Sequence, residues 1–341
     1  IHSVQGSESE FIKLDLNTAI TLANRWNTDL KRADIDLQSD AISVDSAQQA
    51  YYPNLSLSGS GSSRWSDSGA GSADMGINDD DFTESMSMKL SSSYTLFDGF
   101  ARQSELASSE ASLIATEFSG KQTLNSVVWQ VANVFLRATA AQAQIQVQEE
   151  NLLAQQKLLD QITAFYDAGK RPVADLYQQQ AEMASAEYSL ITTRHNYELL
   201  IISLLEAIGL PPDTVVDLDG SSPDDQVRGL HGAIPDESTA VSQALENRSD
   251  YQATRQNIVA ARENLRISQS GNWPTVSLSA DAGSSWNSSS TDSFGDQFGS
   301  NNPYASVGIS ISLPVFNRHA TRNSTLSSEL QIRRLELQLQ D

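Results

Sequence analysis

Two stretches of this chain alternate, with few exceptions, between apolar or small residues and hydroxylated ones. Leu55, Leu57, Gly59, Gly61 and Trp65 share one phase, while Ser56, Ser58, Ser60 and Ser62 share the other. Beyond a Ser/Gly/Asp-rich interval the device returns. Met86, Met88, Leu90, Tyr94 and Leu96 fall in one phase, and Ser85, Ser87, Ser91 and Ser93 in the other. Period two is the period of a strand, so the pattern predicts a long β-hairpin over 53–98 with one greasy and one wet face.

The rest reads with a helical period. Residues 14–52 contain neither Gly nor Pro, and Leu16, Ala19, Ile20, Ala23, Trp26 and Leu30 recur at helical spacing. With Asp15 or Asn17 as N-cap, one helix running into Pro53 is predicted. From Lys121 to Ala168 Gly and Pro are again absent, and Leu124, Val127, Val128, Val131, Val134 and Phe135 form a stripe. A helix starting near Arg102 and ending near Ala168 would be roughly 100 Å long at ~1.5 Å per residue. Gly169 suits a left-handed helix end, and Pro172 suits the first turn of a following helix from Val173 to Ile208. A long antiparallel helical hairpin over 100–210 follows.

The pattern occurs twice. A shift of 221 carries Thr18-Ala19 onto Thr239-Ala240, Ala23 onto Ala244, Asp29 onto Asp250, Pro53 onto Pro274, Leu57 onto Leu278 and Trp65 onto Trp286. Ala305, Val307, Ile309, Ile311, Leu313 and Val315 supply the second return strand. So long a period means two copies of one unit rather than a solenoid. The predicted organisation is an N-terminal extension (1–13), repeat 1 (14–210), a connector (211–236), and repeat 2 (237–341) with its β-hairpin at 274–316 and the start of a long helix. Position 341 maps onto position 120, so the segment 121–210 has no counterpart here. Either the native chain continues into a second helical hairpin, the favoured expectation, or this copy has lost it.

Charge and composition narrow the function. The chain has 43 acidic and 22 basic side chains, a net charge of −21. Nucleic acid is excluded as a partner, because phosphate binding needs a positive footprint. There is no cysteine, so thiolate metal sites, cysteine nucleophiles and disulfides are excluded. No apolar run reaches the ~18 residues of a membrane-spanning helix. His2, His195, His231 and His319 lack metal-ligand spacing, and no phosphate loop, dinucleotide fingerprint or nucleophile elbow is present. Glu149-Glu150 reads as a wetted helix face. The acidic run Asn78 to Asp81 reads as a solvated loop tip, with calcium as the weaker alternative. No enzyme, cofactor or metal is predicted.

The strands favour a membrane. Thirteen residues from Pro53 to Trp65 extend ~43 Å, or ~33 Å in height when tilted by ~40°. A soluble sandwich would need a bulkier core than Gly59 and Gly61 provide. On the membrane reading Leu57, Met88, Leu278 and Ile309 face lipid. Ser56, Ser58, Ser277 and Ser310 face a lumen. Trp65, Tyr94, Trp286 and Tyr304 form interface belts. Four strands cannot close a barrel, for which about eight is the practical minimum, and a bilayer tolerates no open sheet edge. Several chains must then share one barrel.

These pieces together resemble the outer-membrane factor family, the TolC-like exit ducts of Gram-negative bacteria. The resemblance rests on Ala19-Ile20-x-x-Ala23, Pro53-x-Leu55, Leu96-Phe97-Asp98-Gly99, Ala168-Gly169-x-x-Pro172-x-x-Asp175-Leu176 and the duplication, and covers 14–341. Departures are Asn27-Thr28 and Arg248-Ser249 where many members have Asn-Pro, and Asn317-Arg318 where the first copy has Asp-Gly. The resemblance implies a mainly α chain with membrane β-hairpins. Four strands per chain would enter a trimeric 12-stranded barrel above an α-helical barrel crossing the periplasm. It implies a passive duct of a tripartite efflux or type I secretion system. Its partners would be two further copies, a periplasmic adaptor (membrane fusion protein), an inner-membrane ABC or proton-driven transporter, and outer-membrane lipid. It further implies that the tip Gly169, Lys170, Arg171 and Pro172 docks the adaptor, and that Asp175 helps hold the periplasmic end shut. The rival readings are an adhesive coiled-coil envelope protein and a soluble hydrolase, both separable from a duct by detergent dependence.

Overall fold

The computed structural model describes residues 12–67, 80–219 and 236–340. The element order is β1 (Ile12–Leu14), α1 (Leu16–Trp26), α2 (Thr28–Gln49), β2 (Asn54–Asp67), β3 (Asp80–Phe97), α3 (Ala101–Asp167), α4 (Val173–Ile208), β4 (Val216–Leu218), α5 (Glu237–Asn247), α6 (Ser249–Ser270), β5 (Thr275–Asn287), β6 (Tyr304–Ser312) and α7 (Ala320–Gln340). A short helical turn at Phe294–Asp296, continued as a π-turn at Gln297–Asn301, lies between β5 and β6. The bounds of α5 and α6 are those of α1 and α2 displaced by 221, and β5 starts 221 residues after β2.

The chain forms two compact units that cut across the two sequence copies. One comprises residues up to Gln38 and Thr116–Gln252, the other Ser39–Ala115 and Ala253 onward. In the first, the stripe on α3 works as the pattern predicts at Val127, Val131 and Phe135. These bury against Leu200, Leu204 and Ile208 of α4 and against Ala19 and Ala23 of α1. Leu14 and Leu218 close the same core from a two-stranded parallel sheet, β1 with β4. That sheet joins the end of the predicted extension and the first residue of repeat 1 to the predicted connector. Its signal, Ile-Lys-Leu and Val-Asp-Leu, is too short for periodicity to register. The distal part of the hairpin is tied by polar bonds: Gln179 Nε2 donates to Gln155 Oε1 at 2.8 Å, and Arg194 meets Glu149 at 2.6 Å.

The predicted single helix over 14–52 is two helices. The break is at Asn27, which takes an extended conformation (φ −58°, ψ 133°). Its Oδ1 accepts from the N–H groups of Asp29 and Leu30, and so caps α2. Its Nδ2 donates to the Ala207 carbonyl at 2.8 Å, one of the unpaired carbonyls at the end of α4. Nothing in the hydrophobic period marks this break, because both helices carry the stripe onward. Asp15, not Asn17, caps α1, accepting from the Thr18 N–H at 2.8 Å.

The second unit holds a four-stranded antiparallel sheet in the order β2-β3-β5-β6. Both predicted hairpins pair, and β3 pairs with β5 to join them. Small buried residues let the helices of this unit approach closely. Ser108 Oγ donates to the Ala260 carbonyl at 3.3 Å, and Ala111, Ala115, Ala260 and Ala261 are buried.

Candidate functional site

The register gathers most large apolar side chains of the sheet on one face, with Ser63, Glu84, Ser92 and Ser284 as polar exceptions there. Leu57 pairs with Leu90, Gly59 with Met88, Tyr94 with Leu278, and Leu278 with Ile309. Leu57, Met88, Leu278 and Ile309 therefore share one face, and Leu57 and Ile309 are 68% and 66% exposed. Large apolar side chains so open to solvent call for a covering phase. On the other face the serines pair hydroxyl to hydroxyl across β2 and β3. The Oγ separations are 2.9 Å for Ser56 and Ser91, 2.8 Å for Ser60 and Ser87, and 2.8 Å for Ser62 and Ser85. Ser277 and Ser310, partners in register, lie on this face too.

Two features of the hydroxylated face lie outside the sequence pattern. Lys89 reaches across to Asp281 at 2.8 Å, an ion pair linking β3 to β5 and hence the two hairpins. Only the β3–β5 register brings these residues together, and no spacing within either copy encodes it. Tyr304 pairs with Gly283 and so lies on the face of the serines, not with the apolar set. A side chain at Gly283 would meet the Tyr304 hydroxyl at 3.0 Å, so the ring lies against the glycine. The predicted belt of Trp65, Tyr94, Trp286 and Tyr304 is corrected accordingly. The first three share the apolar phase (Trp65 with Phe82, Tyr94 with Leu278, Trp286 with Met86), and Tyr304 does not. Trp286 also contacts Phe294 of the β5–β6 turn, with ring centroids 5.8 Å apart.

The outer strands β2 and β6 each pair on one side only among the described residues. Their free edges present unpaired backbone donors and acceptors along 14 and 9 residues. Unpaired edges of this length are templates for another strand.

Where the sheet gives way to α3, the chain turns through two consecutive left-handed residues, Gly99 (φ 68°) and Phe100 (φ 69°). The second copy makes the same turn with Arg318 (φ 54°) and His319 (φ 62°). The first turn is fixed by Asp98, whose Oδ2 accepts from Arg102 Nε at 2.8 Å. The second is fixed by Asn317 Nδ2 donating to Thr321 Oγ1 at 2.6 Å. The Asn317-Arg318 departure thus keeps the geometry with neutral partners.

At the hairpin tip α3 ends in a paired cap: the Lys170 N–H donates to Phe165 and the Gly169 N–H to Tyr166, both at 2.9 Å. Gly169 is left-handed (φ 71°), with nothing within 4 Å of the position its Cβ would take. Pro172 is the N-cap residue of α4, in an extended conformation (ψ 154°), one position before the predicted first turn. Asp175 lies in the first turn and pairs with Arg171 at 2.9 Å.

Among the described residues no helix is long and apolar enough to cross a membrane, and no three His, Cys, Asp or Glu side chains are gathered to hold a metal. Asn78 and Asp79, and the side chains of Asp80 and Asp81, lie outside the described residues, as do His2 and His231.

A long helical hairpin joined to a four-stranded antiparallel sheet with segregated faces defines the fold of TolC-like outer-membrane channels. The channel VceC of Vibrio cholerae superposes with a TM-score of 0.70 at 19% identity, over 95% of this chain and 74% of VceC. The open-state channel MtrE of Neisseria gonorrhoeae superposes at 0.73 and 19%, over 99% of this chain and 74% of MtrE. The chain belongs to the outer membrane efflux protein family, whose model matches residues 19–210 and 240–341. Pyoverdine export outer membrane protein OpmQ of Pseudomonas aeruginosa is 25% identical over 283 residues, 82% of this chain and 56% of OpmQ. The chain spans about half the length of the curated relatives it matches.

Proposed function

We propose that this chain is a protomer of a passive exit duct in the outer membrane, serving a tripartite efflux or type I secretion system. The observation that carries the reading is the sheet: a predominantly apolar face opposite a hydroxylated one, together with two unpaired edges. Only closure with further copies satisfies those edges in a bilayer, and three chains of four strands give a 12-stranded barrel. Leu57, Met88, Leu278 and Ile309 then face lipid, with Trp65, Tyr94 and Trp286 as interfacial aromatics, while the serine rows, Tyr304 and the Lys89–Asp281 pair line the lumen. The sequence copies 14–210 and 237–341 each contribute one β-hairpin. The family is one of channels, and the chain's task is conduction, without catalysis or cofactor. The decisive experiment is reconstitution of the complete protein: light scattering in detergent should give a trimer, and planar bilayers should show discrete conductance. A monodisperse monomer without conductance refutes the duct.

The tip Gly169, Lys170, Arg171 and Pro172 would dock a periplasmic adaptor that links the duct to an inner-membrane ABC or proton-driven transporter. The open space around Gly169 supports this, since a side chain there meets no neighbour in the chain. Gly169→Val should therefore abolish export while the trimer persists, and unchanged export overturns docking. Asp175 would help close the periplasmic end. Its bond to Arg171 is exposed enough to exchange for a partner on another hairpin. Asp175→Ala should raise single-channel conductance, and an unchanged conductance removes the gating role.

A further inference from the structure

On the apolar face of the sheet, close to where the strands meet the helices, lies a groove of about 330 Å³. Its lining is Pro53, Leu278, Ala280, Tyr51 and Tyr94, with Ser92 as its single aliphatic hydroxyl. Both rings also flank the Arg102 guanidinium, with centroids 5.1 Å and 5.9 Å away. Arg102 donates through Nε to Asp98 and through Nη1 to the Ala50 carbonyl, and among the described residues Nη2 makes no hydrogen bond. The Arg102 and Asp98 side chains are 18% and 17% exposed. An apolar trough on the strands thus runs up to a cluster holding a fixed cation, a fixed anion and two phenols. All of it belongs to the second compact unit.

We propose that this groove is a binding site for one glycerophospholipid of the inner leaflet, with phosphoethanolamine as its headgroup. The proposal rests on the lipid-facing reading of the apolar face. Chemistry selects the occupant. The trough continues the surface of Leu57 and Ile309, so hydrocarbon fills it. The strand–helix junction is where a barrel leaves the hydrocarbon layer, so the polar cluster meets headgroups. A zwitterionic headgroup matches an Arg–Asp pair of both signs: its phosphate takes the free Nη2 donor, and its ammonium lies against Asp98. The guanidinium lies near two aromatic rings and is bonded to Asp98 and Ala50, which restrains its direction. Free phosphate would satisfy the cation but leave the trough empty.

Among the described residues the second copy has no equivalent cation: Thr321 holds the place of Arg102 in the turn that follows β6.

The test is lipid retention by the detergent-purified chain. Native mass spectrometry counts bound dioleoyl phosphatidylethanolamine during titration of the delipidated protein, with 10 mM-scale inorganic phosphate as competitor. Ala280→Trp, which fills the trough, and Arg102→Gln, which removes the cation, should each weaken binding about tenfold. Trp65→Ala, at the far end of the same face, should leave it unchanged, and phosphate should not displace the lipid. Equal retention by wild type and Ala280→Trp overturns the proposal, as does an equal loss in all three variants or displacement by phosphate. If Ala280→Trp alters subunit stoichiometry at unchanged lipid count, the occupant is a second copy and the lipid site is refuted. Insertion into phosphatidylethanolamine/phosphatidylglycerol vesicles separates the failures. A chain that inserts but retains no lipid loses only the groove, whereas one that does not insert loses the lipid-facing reading with it.

Discussion

Asn27→Ala should destabilise the junction of α1, α2 and α4 by about 2–4 kcal/mol. Asn27 is 6% exposed and serves two helices at once. Losing the acceptor for the Asp29 and Leu30 N–H groups removes an N-cap, at about 0.5–2 kcal/mol. Losing Nδ2 leaves the Ala207 carbonyl unpaired in a buried setting, at about 1–3 kcal/mol. The place is also sterically tight. Gly209 (φ 88°) caps α4 so close to the Asn27 turn that a Cβ there would lie 2.5 Å from the Trp26 carbonyl oxygen. The backbone therefore cannot slide to find the lost partner another way. Amide hydrogen exchange on peptides covering 28–31 and 205–210 reads the effect locally. At about tenfold per 1.4 kcal/mol, protection should fall by at least ~30-fold. Asn27→Ser separates the two parts, since its hydroxyl retains the cap but falls short of Ala207, and it should lose about half as much. Arg248, the equivalent position in the second copy, pairs with Asp250 at the surface, at 2.7 Å. Arg248→Ala should leave the exchange of α5 and α6 nearly unchanged. If Asn27→Ala preserves protection at 205–210 to within threefold, the shared-cap account is wrong.

Phe135→Ala should cost about 3–5 kcal/mol, because the ring is 1% exposed between α3 and α4; urea unfolding followed by helical circular dichroism measures it. Leu57→Lys should reduce the stability of the inserted barrel by about 2–4 kcal/mol, while Ser58→Lys should chiefly alter conductance and ion selectivity. Equal costs at the two positions would refute the face assignment. Asp15 ionises more readily in the fold than its ordinary value of 3.8, because its carboxylate accepts hydrogen bonds from Thr18. A lowered folded pKa means its contribution is complete above the unfolded pKa and is lost as pH falls through the folded value. Asp15→Asn, which keeps an acceptor but cannot titrate, should flatten the stability of α1 below pH ~4, and an unchanged acid limb of the melting curve would count against the cap.

What the sequence showed was set by how local each cause is. The sheet was legible because alternation in one strand already decides which side chains share a face, and hairpin pairing follows from neighbourhood in the chain. The helix end at Gly169 was legible because only glycine takes its left-handed conformation cheaply. Arg318 and His319 adopt the same conformation without glycine, and nothing in their identity announces it. There the duplication is the better guide: Phe97-Asp98-Gly99-Phe100 in one copy foreshadows the turn at Phe316-Asn317-Arg318-His319 in the other.

What was hidden depends on residues far apart in sequence. Tyr304 read as a belt aromatic because its residue type fits a membrane interface. Its phase within 304–315 already opposed that, since Ala305, Val307 and Ile309 are the apolar set and Tyr304 is not among them. Residue type and phase conflicted, and the phase is the stronger signal, because reversing a single residue's face requires a bulge and none interrupts β6. Lys89 and Asp281 follow the same logic from the other side. Each has the phase of the hydroxylated face, where an isolated charge has no evident partner within its own copy. The β3–β5 register supplies it, and in doing so fastens one copy to the other along the line where two separate hairpins become a single sheet.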